Sequence, residues 1–312
     1  MRYRDQLPQL GDGFFMTDGG IETTLIFHGG FDLPEFAAVD LLRSEAGTDA
    51  LRTYYTRYAE LAVELGVGFV LESPTWRASP AWAARLGYSA TQLDQLNRSA
   101  IALMEEIRGQ YESSRAPFVI SGCIGPQGDG YAPDEMLSAD DAASYHHTQI
   151  ATFAETSADM VTAITMTYAA EAVGIVQAAS REGLPAAISF TVESDGRLPS
   201  GQGLGEAIDQ VDEETQQAAA YFMINCAHPT HFEHILEPDA RWIARVHGLR
   251  ANASTKSHAE LDEATTLDDG DPEDLARRHN ALRSSLPNLN VVGGCCGTDQ
   301  RHVAAICRTL LN

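Results

Sequence analysis

The sequence predicts a (β/α)8 barrel, and three observations support this fold. Eight short apolar runs recur along the 312 residues, and each is followed by a longer segment with helical spacing of its apolar residues. The runs are almost continuously apolar, as expected of strands that are buried on both faces of a parallel sheet. The length also suits one barrel, since this fold commonly takes about 250 residues or more. We therefore expect one α/β barrel domain over residues 1–312.

The candidate strands are the apolar runs, taken in chain order. They are Phe14–Asp18, Gly68–Ser73, Pro117–Gly122, Asp159–Ile164, Ala186–Thr191, Tyr221–Asn225, Arg241–Val246 and Asn290–Gly294. Helices are expected between them, as in the segment 51–66, where Tyr54, Tyr58 and Leu61 share one helical face. A doubly wound sheet is the alternative architecture. It is disfavoured because no G-x-G-x-x-G fingerprint follows the first strand.

The charge balance excludes two classes of partner. The chain has 21 Lys and Arg residues against 44 Asp and Glu residues, a formal net charge of -23. A phosphate backbone or an anionic membrane surface needs a basic face, so nucleic acid and membranes are not expected as partners. The sequence also shows no apolar run of the roughly 18 residues that would span a bilayer, and no apolar signal-peptide core near its start. We expect a cytoplasmic protein, and a homo-oligomer remains compatible with the sequence.

Three of the five cysteines follow predicted strands and are expected to converge. Cys226 follows the sixth strand, and Cys295 with Cys296 follow the eighth. In a (β/α)8 barrel the carboxyl ends of all strands meet at one face, where the chemistry is performed. Three thiolates around one point suit a catalytic zinc ion, which keeps a fourth position for an exchangeable ligand. The alternative is a buried structural pair of neighbouring cysteines with an unrelated Cys226.

The remaining cysteines and the histidines are given plainer interpretations. The odd number of cysteines argues against a disulfide framework. Cys123 is interpreted as a small buried residue rather than part of the barrel mouth, and Cys307 as a core residue of the last helix. His228 and His231 follow Cys226 and are more simply solvated loop residues than a metal ligand or a proton shuttle. His146 and His147 are expected on a helix surface.

Several motifs resemble the homocysteine S-methyltransferase family. The strongest are GGCCGT at Gly293–Thr298 and INC at Ile224–Cys226, which resemble the zinc site of that family. Other segments are similar to family segments in the same order along nearly the whole chain. They are DGG at Asp18–Gly20, LESPTW at Leu71–Trp76, GPQGDGY at Gly125–Tyr131, SFT at Ser189–Thr191 and ANAS at Ala251–Ser254.

The resemblance implies a reaction and assigns residues to it. Zinc would be held by Cys226, Cys295 and Cys296, and would bind the homocysteine thiolate for attack on the methyl group of a donor. The product would be methionine. The expected donor is a small sulfonium, S-methylmethionine or S-adenosylmethionine, or a quaternary ammonium compound. Asp18 and Glu72 are the expected catalytic residues, with Asp18 near the acceptor amine. The expected substrate-binding residues are Asp18, Gly19, Glu72, Thr75, Trp76 and Asn252.

One position departs from the family pattern and leaves alternatives open. Many members end the fourth strand with a glutamate that binds the homocysteine amine, and Ile164 stands at that position here. Either Glu72 replaces it, or the acceptor is another small thiol or a selenol. Two further alternatives are a zinc hydrolase with Glu72 as base and a non-catalytic barrel that binds zinc or a thiol. An all-thiolate ligand set disfavours the hydrolase, whose zinc ligands are usually His and carboxylate.

Overall fold

The predicted barrel is confirmed. The structure is a computed structural model that describes residues 2–133, 135–264 and 266–312. Eight parallel strands pair in chain order, and the eighth pairs with the first to close the barrel. They are β1 Phe15–Met16, β2 Gly68–Glu72, β3 Phe118–Ile124, β4 Met160–Met166, β5 Ala186–Phe190, β6 Tyr221–Asn225, β7 Val246–Ala251 and β8 Val291–Gly294.

Helices connect the strands on the outside of the barrel. They are α1 Ile21–Thr23, α2 Glu45–Leu65, α3 Pro80–Leu86, α4 Ala90–Tyr111, α5 Ala139–Ala154, α6 Ala169–Arg181, α7 Leu204–Thr215, α8 Pro229–Phe232, α9 His258–Asp262, α10 Pro272–Leu282 and α11 Gln300–Leu311. A π-helical turn, Thr24–His28, continues α1, and 3-10 helices cover Pro8–Leu10, Pro34–Phe36, Ala38–Arg43, Glu233–Ile235 and Arg241–Arg245. No helix within the described ranges is long and apolar enough to cross a bilayer.

Local signals in the sequence explain where the long helices begin and end. The hydroxyl of Ser44 accepts a hydrogen bond from Gly47 N and caps α2, which ends at Gly66 in the left-handed conformation with φ 65°. A capping box of Ser89 and Gln92 begins α4. The predicted face of α2, which includes Tyr54, is buried. The helices are therefore fixed by their own sequences as well as by the barrel.

The apolar side chains form two layers, one between the sheet and the helices and one inside the barrel. The inner cluster includes Phe15, Val70, Val119, Met160, Ile164, Tyr221, Met223 and Val291. The outer layer is the larger and includes the predicted core residue Cys307. Because the inner cluster closes the barrel from within, the cavity of the site lies at the carboxyl ends of the strands.

The prediction of the seventh strand was wrong. Arg241–Arg245 forms a 3-10 helix in which Trp242 and Ile243 are buried, and β7 begins only at Val246. The apolar run was a misleading signal because Trp242 and Ile243 are buried in the outer core without being part of a strand. The true strand contains Gly248 and Arg250, so it does not read as a continuous apolar run.

The prediction that His146 lies on the surface was also wrong. His146 is fully buried, and its Nε2 lies 2.9 Å from Oε1 of Glu171 on α6. A polar residue on a helix is usually predicted to be exposed, because a hydrogen-bond partner on a neighbouring helix is not evident from the sequence. His147 is exposed, as expected.

Candidate functional site

Three cysteine sulfurs converge at the carboxyl ends of β6 and β8. The Sγ atoms of Cys226, Cys295 and Cys296 lie within 4.8 Å of one another, and no other cluster of this kind occurs among the described residues. Cys226 lies just after β6 in the left-handed conformation with φ 52°, which turns its side chain into the site. The geometry therefore brings together the residues that the sequence suggested as zinc ligands.

Two of the three sulfurs are bonded to each other in this structure. Cys226 and Cys295 form a disulfide across 69 residues of chain, and Cys296 lies beside it. The cysteine count argued against disulfides, and this pair corrects that expectation. The reason is physical proximity, because thiols that converge to hold a metal also lie close enough to pair when oxidised. Both must be reduced before they can bind a metal.

Each of the three sulfurs has a polar hydrogen-bonding group beside it. The hydroxyl of Tyr131 lies 3.8 Å from Cys296 Sγ, and Asn225 Nδ2 lies 3.9 Å from Cys295 Sγ. The hydroxyl of Thr165 lies 3.8 Å from Cys226 Sγ. Hydrogen bonds of this kind stabilise thiolates and tune how much charge they donate to a metal.

Asn225 is locked by its own hydrogen bonds. Its Oδ1 accepts from Thr165 N at 3.0 Å and from the Ser189 hydroxyl at 2.6 Å, while its Nδ2 donates to the Thr165 hydroxyl at 2.8 Å. Thr165 has φ 65° and lies at an irregularity in the pairing of β4 with β5. The sequence analysis did not single out Asn225 or Thr165. The position of Asn225 directly before Cys226 was a signal that could have found it.

Arg250 is the main residue of the site that the sequence analysis missed. It is buried on β7 and forms ion pairs with both predicted catalytic carboxylates. Its Nη2 lies 2.5 Å from Asp18 Oδ1, its Nη1 contacts Glu72 Oε2, and its Nε donates to Gly294 O at 3.2 Å. It was missed because the seventh strand was placed too early, which left Arg250 in a predicted loop.

The electrostatics of this cluster keep Arg250 charged. Burial alone would lower the pKa of Arg250, but the negative charges of Glu72 and Asp18 outweigh burial and raise it. Asp18 is also held on its other oxygen, where the Tyr54 hydroxyl donates at 2.9 Å. Glu72 Oε1 is buried and has no hydrogen-bond partner among the described residues. Asp18 and Glu72 point into the site, but their charges are largely committed to Arg250.

The other predicted substrate-binding residues divide into two groups. Gly19, Trp76 and Asn252 line the cavity, as does Ile164. Thr75 does not. It is fully buried and its hydroxyl donates to Cys123 O at 2.7 Å, which gives it a structural contact below the cavity wall.

Cys123 and Trp76 help to form the wall of the cavity. Cys123 is buried in the inner cluster and also lines the cavity, so the two interpretations of it are both partly correct. The indole Nε1 of Trp76 donates to Ile164 O at 3.1 Å, which fixes the ring over the end of β4.

The expectation that His228 and His231 are solvated was wrong, because both are buried and engaged in hydrogen bonds away from the cysteines. Nδ1 of His228 lies 2.8 Å from the Thr230 hydroxyl, and burial lowers the pKa of His228 to about 4. Nε2 of His231 lies 2.9 Å from Thr255 O. Neither belongs to the cysteine cluster. His258, which was not predicted, contacts the carbonyl oxygen of Cys226 through Nε2 at 2.5 Å and so supports the turn that carries that sulfur.

The cavity above the sulfurs has the size and charge of a small-molecule site. Its volume is about 440 Å³, within the usual range for such sites. Its lining includes the carboxylates of Glu22, Asp129 and Asp268, and half-exposed Phe27 and Phe36 also line it. Burial raises the pKa of Glu22 to about 7. The cavity can therefore attract a cation near its acidic and aromatic groups.

Comparisons with known proteins identify the family. The chain has the fold of the homocysteine methyltransferase MmuM from Escherichia coli. The oxidised form of MmuM is 17% identical, with a TM-score of 0.75 over 96% of this chain and 97% of that one. The metallated form is 16% identical, with a TM-score of 0.72 over 96% of each chain. No curated protein sequence matches the chain significantly. Residues 15–310 match the homocysteine S-methyltransferase family, and the chain is therefore a methyltransferase that belongs to this family.

Proposed function

We propose that the chain is a zinc-dependent thiol methyltransferase whose metal is held by reduced Cys226, Cys295 and Cys296. The observation that carries the proposal is the convergence of these three sulfurs at the mouth of the barrel, in a member of a methyltransferase family. Homocysteine is the first acceptor to consider, because the family is named for it. The donor would be a small sulfonium, such as S-methylmethionine or S-adenosylmethionine, or a quaternary ammonium compound.

The residues present suit zinc. Three sulfurs of this spacing form a soft ligand set, and three protein ligands leave one position for an exchangeable ligand. Zinc bound there would hold an acceptor thiol in its thiolate form at neutral pH, where a free thiol with a pKa of about 8.5 is mostly protonated. Loading would require a thiol reductant that supplies two electrons and two protons to the disulfide.

The chain's own residues would prepare the transfer. Tyr131, Asn225 and Thr165 would stabilise the negative charge on the cysteine sulfurs, because each places a polar hydrogen near one of them. The acceptor sulfur would form a bond to the methyl carbon while the bond from that carbon to the donor heteroatom breaks. The bonding electrons would stay with the donor, which loses its positive charge, and the acceptor's proton would already have passed to solvent.

Acidic and aromatic groups of the cavity support a cationic donor. Glu22 on α1 and Asp129 in the loop after β3 line the cavity, and Trp76 is held there by its hydrogen bond to Ile164 O. A sulfonium or quaternary ammonium carries one positive charge and few hydrogen-bonding groups at its centre, so carboxylates and ring faces are suitable partners. Holding the donor methyl in line with the acceptor sulfur would supply the rest of the rate enhancement.

A second candidate is the same chemistry on a different thiol or a selenol. Two observations favour it: Ile164 offers no carboxylate at the end of β4, and Arg250 neutralises much of the charge of Asp18 and Glu72. The hydrolase hypothesis gains no support, because the candidate ligand set is entirely cysteine.

The experiment is a methylation assay on reduced, zinc-loaded protein. S-methylmethionine, S-adenosylmethionine and betaine, each with a deuterated methyl group, are incubated with homocysteine and with other small thiols. Mass spectrometry then detects the labelled thioether. We expect a product with at least one donor, and none in the zinc-free protein. Zinc and thiol binding without any labelled product would favour the non-catalytic barrel instead.

A further inference from the structure

We infer that Arg250 sets the acceptor preference of the cavity, so that small thiols without an ammonium group bind better than homocysteine. The inference rests on the proposed function, since it concerns the acceptor of that same site.

The position of Arg250 follows from strand register. Arg250 pairs with Asn225 on β6, one residue before Cys226, and with Gly293 on β8, two residues before Cys295. Leu249 and Ala251 face the outer core, so Arg250 between them faces the barrel interior. The guanidinium therefore lies in the floor of the cavity that the three cysteines also line.

Most polar atoms of this floor are already paired, apart from Oε1 of Glu72. Arg250 contacts Asp18, Glu72 and the carbonyl oxygen of Gly294, and Tyr54 donates to the second oxygen of Asp18. The two carboxylates alone would carry a charge of -2, and the guanidinium of Arg250 reduces the net charge of the group to -1. An ammonium group that approached either carboxylate would also approach Arg250, and the two cations repel each other in a buried site.

The opposite wall offers no replacement. Ile164 closes the end of β4 with an apolar side chain, and its carbonyl oxygen already accepts from Trp76. Asp268 is paired with Lys256, whereas Glu22 and Asp129 make no ion pair among the described residues and are the cavity carboxylates that could compete for an ammonium group. An acceptor without an ammonium group avoids both the repulsion and the need for a partner.

The test compares two thiols that differ only in the ammonium group. Homocysteine and 4-mercaptobutyrate share the same chain length, thiol and carboxylate. Isothermal titration calorimetry on reduced, zinc-loaded protein gives their dissociation constants, corrected for the ionisation of each free thiol. We expect 4-mercaptobutyrate to bind about tenfold more tightly or better, the scale of one lost charged hydrogen bond. Equal or tighter binding of homocysteine would overturn the inference.

Variants connect the preference to Arg250. Arg250→Met frees two carboxylates, and the ratio of the two dissociation constants should shift toward homocysteine by about tenfold. If this variant does not fold, Arg250→Met combined with Glu72→Gln leaves one free carboxylate and should shift the ratio in the same direction. Arg245→Met, which removes an equal charge paired with Asp212 outside the barrel, is the matched control and should leave the ratio unchanged.

The outcomes separate this inference from the proposed function. Preference for 4-mercaptobutyrate without methylation of any thiol would support the inference and contradict the proposed activity. The protein could instead methylate homocysteine and bind it more tightly than 4-mercaptobutyrate, with Glu22→Gln abolishing that preference. This result would support the activity and overturn the inference, because Glu22 would then bind the ammonium group. An unchanged ratio in a folded Arg250→Met protein would also overturn it.

Discussion

The sulfur of Cys296 distinguishes a metal site from a simple disulfide. Cys226 and Cys295 are able to pair with each other, and that pairing alone would explain their proximity. A disulfide needs only two sulfurs, yet a third lies within 4.8 Å of both, with the Tyr131 hydroxyl beside it. It is explained if the three sulfurs together bind a soft metal ion.

Replacement of Cys296 should therefore remove zinc. We expect Cys296→Ser to lower zinc affinity by more than about hundredfold, because loss of a residue that only supports a ligand already costs about 10–100-fold. Competition with a chromophoric chelator measures the affinity. Cys307→Ala, in the core of α11, is the control and should retain zinc. Full zinc retention in Cys296→Ser would exclude Cys296 from the site.

Glu22 should make stability depend on pH. Burial raises its pKa from 4.5 to about 7, so ionisation of Glu22 costs folding free energy. Its contribution to stability is present at low pH and is lost as the pH rises through about 7. The melting temperature of Glu22→Gln minus that of the wild type should thus be higher at pH 8 than at pH 5, by about 2 °C or more. Glu60→Gln, on the exposed face of α2, is the control for loss of a surface charge. An equal difference at both pH values would contradict the prediction.

At the scale of elements, the end of β8 is shaped by glycines that leave room for the loop carrying Cys295 and Cys296. A Cβ on Gly294 would overlap the side chain of Thr298, whose hydroxyl donates to Cys295 O at 2.7 Å. A Cβ on Gly293 would overlap Thr17 on the neighbouring strand end. The glycines of the GGCCGT motif therefore allow close approach of the backbone to two threonines.

Gly294→Ala should damage both the fold and the metal site. We expect a loss of about 1–3 kcal/mol in the free energy of unfolding, the usual cost of overpacking, together with weaker zinc binding. Urea denaturation and chelator competition measure the two effects. Gly109→Ala is the matched control, because a Cβ there meets open space on α4, and it should gain up to about 1 kcal/mol. Unchanged zinc affinity in Gly294→Ala would show that the loop adapts.

The seventh strand shows how far the sequence could predict these elements. Seven strands were placed correctly because buried parallel strands are nearly continuous in apolar residues. β7 is the exception because it carries a charged residue that faces inward, and the partners of Arg250 lie 178 and 232 residues away in sequence. No local pattern reveals that pairing. The convergence of the three cysteines was predictable because their motifs are specific and follow strand ends, whereas Arg250 and the groups beside the sulfurs become apparent only in the folded barrel.

At the scale of the whole molecule, closure of the barrel assembles the site from distant segments. Asp18, Glu72, Cys226, Arg250 and Cys295 come from five different strand ends and meet at one face. The same closure brings Cys226 and Cys295 close enough to form a disulfide. Metal binding and disulfide formation are therefore mutually exclusive, because a disulfide sulfur is not the thiolate that zinc binds.

Zinc content should follow the redox state of the protein. Reduced protein should bind one zinc ion per chain, and protein with the Cys226–Cys295 disulfide should bind none at this site. Elemental analysis after gel filtration, together with a count of reactive thiols, measures both quantities on one sample. Equal zinc content in the reduced and oxidised proteins would place the metal elsewhere.

The proposed function requires that a metal held by the three cysteines presents an open position to a thiol acceptor. X-ray absorption spectroscopy at the zinc edge tests it directly on reduced, zinc-loaded protein, before and after addition of 4-mercaptobutyrate or homocysteine. We expect three sulfur ligands and one lighter ligand without the thiol, and four sulfur ligands with it, at a zinc–sulfur distance of about 2.3 Å. A coordination shell that does not change when a thiol binds, or that lacks the three sulfurs at the outset, would contradict it.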